Sequence, residues 1–234
     1  GGLLLWDLEH PARFYMIFTR PQWRSWLVKG AFIIAGYSLV LALHFGASLA
    51  GSTSLQIWLT IAGIPLSVAT AVYTAYLFAQ AKARDMWQNP LLPPHLLFQS
   101  VLLGTAVLVV LAILFRGYMT PDGMFVSVPR DVYWSTVTLA VTSLVHLLMV
   151  WGEVSLTHPT SHARLAIWEM VKGRYKKEFW TGTIFSFVGG LLTLLVIFEF
   201  FPTSFVAAGA VFALVGMLLF EDAYVQAGQS VPLA

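Results

Sequence analysis

Val101-Leu102-Leu103-Gly104-Thr105-Ala106-Val107-Leu108-Val109-Val110-Leu111-Ala112-Ile113-Leu114-Phe115 decides the fold class. No charge interrupts the run, and its apolar residues are consecutive. A membrane barrel strand would instead alternate lipid-facing and lumen-facing residues over about ten positions. At about 1.5 Å per residue, a helix over such a run approaches the thickness of a hydrocarbon core of about 30 Å. Working outward, six stretches qualify as spans, at 27–49, 55–80, 96–115, 132–152, 182–201 and 203–220. The expected fold is all-α: a polytopic transmembrane helical bundle, one integral membrane domain over 1–234. Glu199 and Pro202 fall where the fifth and sixth spans meet, which fits either a tight membrane-level turn or a kink in a tilted pair.

Composition agrees with that reading. Hydrophobic residues make up 58% of the 234 and charged residues only 10%, with a mean hydropathy of +0.77. The net charge of +2 is too small for a nucleic-acid footprint. Cysteine is absent, so the chain can form no disulfide, thiolate-ligated iron–sulfur cluster or cysteine zinc site. Any redox metal must be held by histidine or by another subunit.

Gly1-Gly2-Leu3-Leu4-Leu5-Trp6 reads as the last turns of a hydrophobic helix and not as a signal peptide, so further helices are expected upstream. Trp6, Trp26, Trp58, Trp87, Trp134, Trp151 and Trp180 fall near span ends, where an amphipathic ring suits the headgroup level. Of the 13 basic residues, only Arg116 and Arg130 lie on the face opposite residues 1–26, 81–95, 153–181 and the C-terminus. The positive-inside rule then places the basic loops in the cytoplasm of a multi-pass protein of the inner (plasma) membrane. Within 153–181, Leu165, Trp168 and Val171 at helical spacing, with Arg164, Lys172, Arg174, Lys176 and Lys177 elsewhere, suggest an amphipathic segment at the membrane surface or against a soluble partner.

Polar residues near or inside spans are the candidates for chemistry. His44 and His146 lie at different depths, and His10, His95, His158 and His162 fall in loops or at span ends. No bis-histidine haem pair stands out. Tyr73, Tyr76 and Gln80, at i, i+3 and i+7, share one helix face near the basic end of the second span. A phenol there can hydrogen-bond a quinone carbonyl, or simply anchor at the interface. His146 and Glu153, also seven apart, could relay protons toward the basic side or hydrogen-bond between helices. Asp7, Glu9, His10 and Arg13 crowd a loop at the membrane edge, as proton carriers or as a solvated set of ion pairs.

Three motifs in order carry a resemblance. Asp7-Leu8-Glu9-His10-Pro11-Ala12-Arg13-Phe14 resembles the D-L-x-x-P-x-R-F loop of NrfD-like membrane subunits, the family of the polysulfide reductase quinone-binding subunit PsrC. Tyr73-Thr74-Ala75-Tyr76 followed by Ala83-Arg84-Asp85-Met86-Trp87-Gln88-Asn89-Pro90 is similar to that family's tyrosine-bearing helix and R-P-L-W-x-x-P turn, with Asp85 and Met86 replacing Pro-Leu. Ala227-Gly228-Gln229 is similar to its C-terminal A-G-Q, although Glu221-Asp222 stand where the family often has an arginine. The resemblance covers the whole chain as helices three to eight of an eight-helix core whose first two helices supply part of the quinone pocket.

It implies a membrane subunit that carries no haem or metal, binds menaquinone or ubiquinone, and exchanges electrons with the iron–sulfur subunit of a respiratory oxidoreductase that also has a catalytic redox subunit. Tyr73 matches the quinone-contacting tyrosine, with Tyr76 and Gln80 beside it, while Arg13, Arg84 and Trp87 are expected at the partner contact. No independent activity is expected. Two other classes compete on the residues alone: a proton or small-solute transporter using His146, Glu153 and Glu199, and a purely structural anchor. Pro65 is the sole proline well inside a span and a weak sign of the broken helices that transporters use.

Overall fold

The structure is a computed structural model and describes residues 13–116 and 130–232. Among them lie eight helices and no strand: α1 (Met16–Thr19), α2 (Trp26–Leu49), α3 (Thr53–Ala79), α4 (Leu92–Arg116), α5 (Arg130–Ser155), α6 (Ser161–Val171), α7 (Lys176–Ile197) and α8 (Phe205–Ser230). A single 3₁₀ turn covers Asp85–Gln88. Six of the helices are long and apolar enough to cross a membrane.

The chain forms two compact units, divided between Ala81 and Lys82. In the first, α2 and α3 make an antiparallel hairpin. Its tight turn is made by Gly51 at φ +68°, where Gly51 N–H donates to Ser48 O and Ser52 N–H to Ala47 O. This is a Schellman closure, and glycine adopts its left-handed residue without Cβ strain. Pro65 lies inside α3, which runs unbroken through it, so no mid-membrane break supports the transporter expectation there.

In the second unit α4, α5, α7 and α8 form a closed ring in which each packs on its sequence or ring neighbour, and α6 with the 3₁₀ turn lies against the end of α8. Lipid gives no hydrophobic drive between helices, so the closest packing comes from small residues. At Gly189 an added Cβ would stand 2.6 Å from Gly209 O and 2.8 Å from Ala213 N, and at Gly216 it would stand 2.5 Å from Ser186 N. Two glycine crossings seven residues apart thus lock α7 to α8. The buried stripe of α8 follows the same spacing: Val206, Ala210, Ala213, Met217, Phe220, Tyr224, Ala227.

Several boundaries differ from the sequence expectation, most of all those of the last two spans. α7 starts at Lys176 and ends at Ile197, against the expected 182–201, because Lys176, Lys177 and Glu178 form its polar first turn. Its other end is a second Schellman closure: Glu199, at φ 62°, donates its N–H to Val196 O, and Phe200 N–H donates to Leu195 O. The junction at Glu199 and Pro202 is therefore a tight turn. α8 continues ten residues past 220 through Glu221 and Asp222, because its small-residue stripe keeps packing to Gly228. The expected surface segment contains a helix with two distinct faces. α6 buries Ala163, Ala166, Ile167 and Met170, while Leu165 and Trp168 are exposed.

Candidate functional site

Two clusters of polar and aromatic side chains stand out, one in each unit. In the first, the face of α3 bearing Tyr73, Tyr76 and Gln80 turns toward the start of α2. Tyr73 is half-buried with its ring laid against Gly30, whose missing side chain makes the space: any Cβ there would overlap ring atoms Cδ2 and Cε2. Its hydroxyl makes no hydrogen bond to any described residue. Tyr76 stacks on Trp26 with ring centroids 4.5 Å apart and 15° between planes, and Lys29 Nζ sits 4.3 Å from the Trp26 ring. Gln80 accepts from Trp26 N–H at 2.9 Å and donates to Arg24 O at 3.3 Å, which caps a backbone donor in the first turn of α2. Tyr76 and Gln80 thus hold the hairpin's end together; neither tyrosine hydroxyl meets a described partner, and Tyr73 is the more buried of the two.

The second cluster has its core, His95, Gln99, His146 and Glu153, buried in the four-helix ring. His95, in the first turn of α4, and His146, in α5, are hydrogen-bonded ring to ring, with Nε2 of His95 2.9 Å from Nδ1 of His146. Gln99 Nε2 lies 3.3 Å from His95 Nε2, and Phe220 packs its ring within 5.0 Å of His146 and 5.7 Å of His95. Two turns along α5, Glu153 accepts a 2.8 Å hydrogen bond from Asn89 Nδ2, and His158 Nε2 lies 2.8 Å from the Glu153 carbonyl. His146 and Glu153 are 0% and 1% exposed, so the shared face read from their spacing points inward. Three buried atoms of this cluster find no partner among the described residues: Gln99 Oε1, His146 Nε2 and Glu153 Oε2.

The remaining expected site residues are placed unevenly. Asp7, Glu9 and His10 lie outside the described residues. Arg13 is exposed. Arg84 is half-buried and donates from Nη1 to Val231 O at 2.6 Å. Trp87 is only 8% exposed, with its indole seated on Gly228, and so offers a partner little surface. Among the described residues no group of three or more His, Cys, Asp or Glu is arranged to hold a metal ion.

Compared with known proteins, residues 1–232 match the family described as "Polysulphide reductase, NrfD". The chain belongs to the NrfD family. It is 23% identical over 227 residues to a Halobacterium salinarum protein named as the membrane subunit of a dimethyl sulfoxide reductase, a match covering 84% of this chain. The chain spans about half (49%) of that relative's length. No solved structure matches the chain significantly.

Within this NrfD chain, two of the motifs that carry the resemblance touch each other. The turn holding Arg84, Met86 and Trp87 is clasped to the last turns of α8 by three contacts: Arg84 on Val231 O, Trp87 on Gly228, and the Tyr224 hydroxyl donating to Met86 O at 3.3 Å. Gly228, the middle residue of the Ala227-Gly228-Gln229 tail, admits the indole because it has no side chain. The clasp sets Asn89, one residue past the turn, against Glu153. Sequence reasoning misses the roles of His95 and Asn89, since the first reads as a residue at a span end and the second only as part of a motif. Their placement rests on pairing across 51 and 64 residues of chain. The signal available is chemical: an amide and an imidazole flanking the start of an apolar span.

Proposed function

We propose that this NrfD-family chain is the quinone- or quinol-binding membrane subunit of a respiratory reductase complex, exchanging electrons with an iron–sulfur subunit that serves a separate catalytic subunit. Membership of a family described by polysulphide reductase, together with a relative named as a reductase membrane subunit, supports the complex. The observation that carries the quinone reading is Tyr73: a phenol at the basic-side end of a spanning hairpin, ring fixed by Gly30 and hydroxyl without a described partner. A donor so held in a low-dielectric setting fits a quinone carbonyl, with the Trp26–Tyr76 stack fixing the helix ends around it. Quinone supplies two-electron chemistry, and the protein supplies position, a hydrogen-bond donor and a dry wall.

On this reading Asp7, Glu9 and His10 carry protons to or from the quinone, the partner docks on the basic face at Arg13 and the turn of Arg84, and that face is cytoplasmic. Trp87 acts behind Arg84 by holding the turn. Tyr73→Phe keeps the ring and removes the donor, so quinone affinity or turnover should fall by about 5- to 150-fold, equivalent to about 1–3 kcal/mol, with assembly intact. Unchanged turnover together with unchanged inhibitor affinity in the intact complex would remove Tyr73 from the site.

A further inference from the structure

Helix-to-helix hydrogen bonding alone does not require two imidazoles in contact, nor a carboxyl group with half its capacity unused. The ring of α4, α5, α7 and α8 contains both, and His146 of the pair and Glu153 lie on one face of α5 about 10 Å apart along its axis. The imidazole pair has two tautomers, and exchanging them reverses which ring donates in the 2.9 Å bond. In either tautomer His146 Nε2 is left with a proton or a lone pair that no described residue meets. Glu153 has the matching property, since Asn89 occupies Oε1 and nothing described occupies Oε2. Unmet groups of this kind are costly in a membrane interior and are found where protons or ions are handled.

We propose that the interior of the second unit is a proton-exchange element, in which the His95–His146 pair holds a proton within the membrane and Glu153 passes it to or from the basic end of the bundle. In the transfer step the Glu153 carboxylic acid loses its proton through intervening water to the imidazole pair. A carboxylate held by the Asn89 amide and an imidazolium shared between two rings remain; the reverse step restores both neutral groups. Asn89 is a positioning residue, because its amide orients Oε1 and leaves Oε2 as the exchanging atom. The other ionisable groups toward this end of the unit are Tyr224 and Glu221 on α8, Glu178 in the first turn of α7, and His158 and Asp85 in the connecting segments. Of these, Tyr224 is committed to Met86 O and His158 to the Glu153 carbonyl. This element is independent of where quinone binds.

The test is infrared titration of the purified full-length protein without quinone, followed by turnover-driven proton uptake in the reconstituted complex. A buried carboxyl band that exchanges in heavy water should be present in the wild type, lost in Glu153→Gln and restored in Glu153→Asp. An imidazole band coupled to it should be lost in His146→Gln. In the complex, Glu153→Gln and His146→Gln should slow proton uptake by about 10²-fold or more while leaving inhibitor affinity within about twofold. A Glu153→Gln protein that keeps both the exchanging carboxyl band and full proton uptake overturns the proposal. If the quinone reading alone is wrong, wild-type uptake is absent but the quinone-free titration persists, so the two failures are distinguishable.

Discussion

The α2–α3 hairpin and the four-helix ring are made of equally apolar helices and are packed very differently. Over their most hydrophobic windows α3 and α8 have mean hydropathies of 1.7 and 1.9, yet none of the α3 window is buried within the chain, against 39% of the α8 window. Hydropathy therefore reports the solvent a helix lives in, and the period of its small residues reports what it packs on. α7 and α8 place glycine against glycine at seven-residue intervals. In the hairpin, Gly46 faces nothing within 4 Å, and Gly36 meets only Leu66 at 4.0 Å. The candidate site residues divide the same way: His95, His146 and Glu153 of the ring are enclosed, while Tyr76 and Gln80 of the hairpin are exposed near its end.

Substitutions can break this contrast. The largest effect is expected at the glycine crossing: Gly189→Ala drives a methyl into backbone atoms of α8, and thermal unfolding in detergent should show a loss of about 3 kcal/mol. Next comes His95→Leu, which strips His146 of its hydrogen-bond partner inside the ring and should cost about 2 kcal/mol by the same measurement. Gly30→Ala should leave the ring unit untouched. It would push the Tyr73 ring aside, and quinone-dependent turnover should drop at least as far as in Tyr73→Phe. The smallest change is Gly46→Ala, a solvent- or lipid-facing helix position, where about 0.5–1 kcal/mol of stabilisation is expected. If Gly189→Ala and Gly46→Ala shift unfolding alike, the difference in packing between the two units is wrong.

Much of this is legible in the sequence, for identifiable reasons. Unbroken apolar runs such as Val101–Phe115 mark spans because backbone polarity must be satisfied inside a helix. The Tyr73, Tyr76 and Gln80 face is visible from spacing alone, and it does turn onto one neighbouring helix. The ends of α7 and α8 are misjudged because Lys176, Lys177, Glu221 and Asp222 lower local hydropathy without ending a helix whose packed stripe continues. In α6 the spacing of Leu165 and Trp168 marks an outward apolar face, while the inward packing of the small Ala163 and Ala166 with Ile167 and Met170 gives no comparable signal in the sequence. His95 with His146, and Asn89 with Glu153, join distant segments of chain. Helical periodicity carries no information about such pairs.

The functional reading rests on the proposed quinone site on the hairpin, and photoaffinity labelling of the intact complex with an azidoquinone tests it directly. Label competed by unmodified quinone should map to the last two turns of α3, between Tyr73 and Gln80, or to the facing start of α2 around Trp26 and Gly30. Competed label confined to α4–α8, or to another subunit with none on this chain, would contradict the assignment of the site to the hairpin.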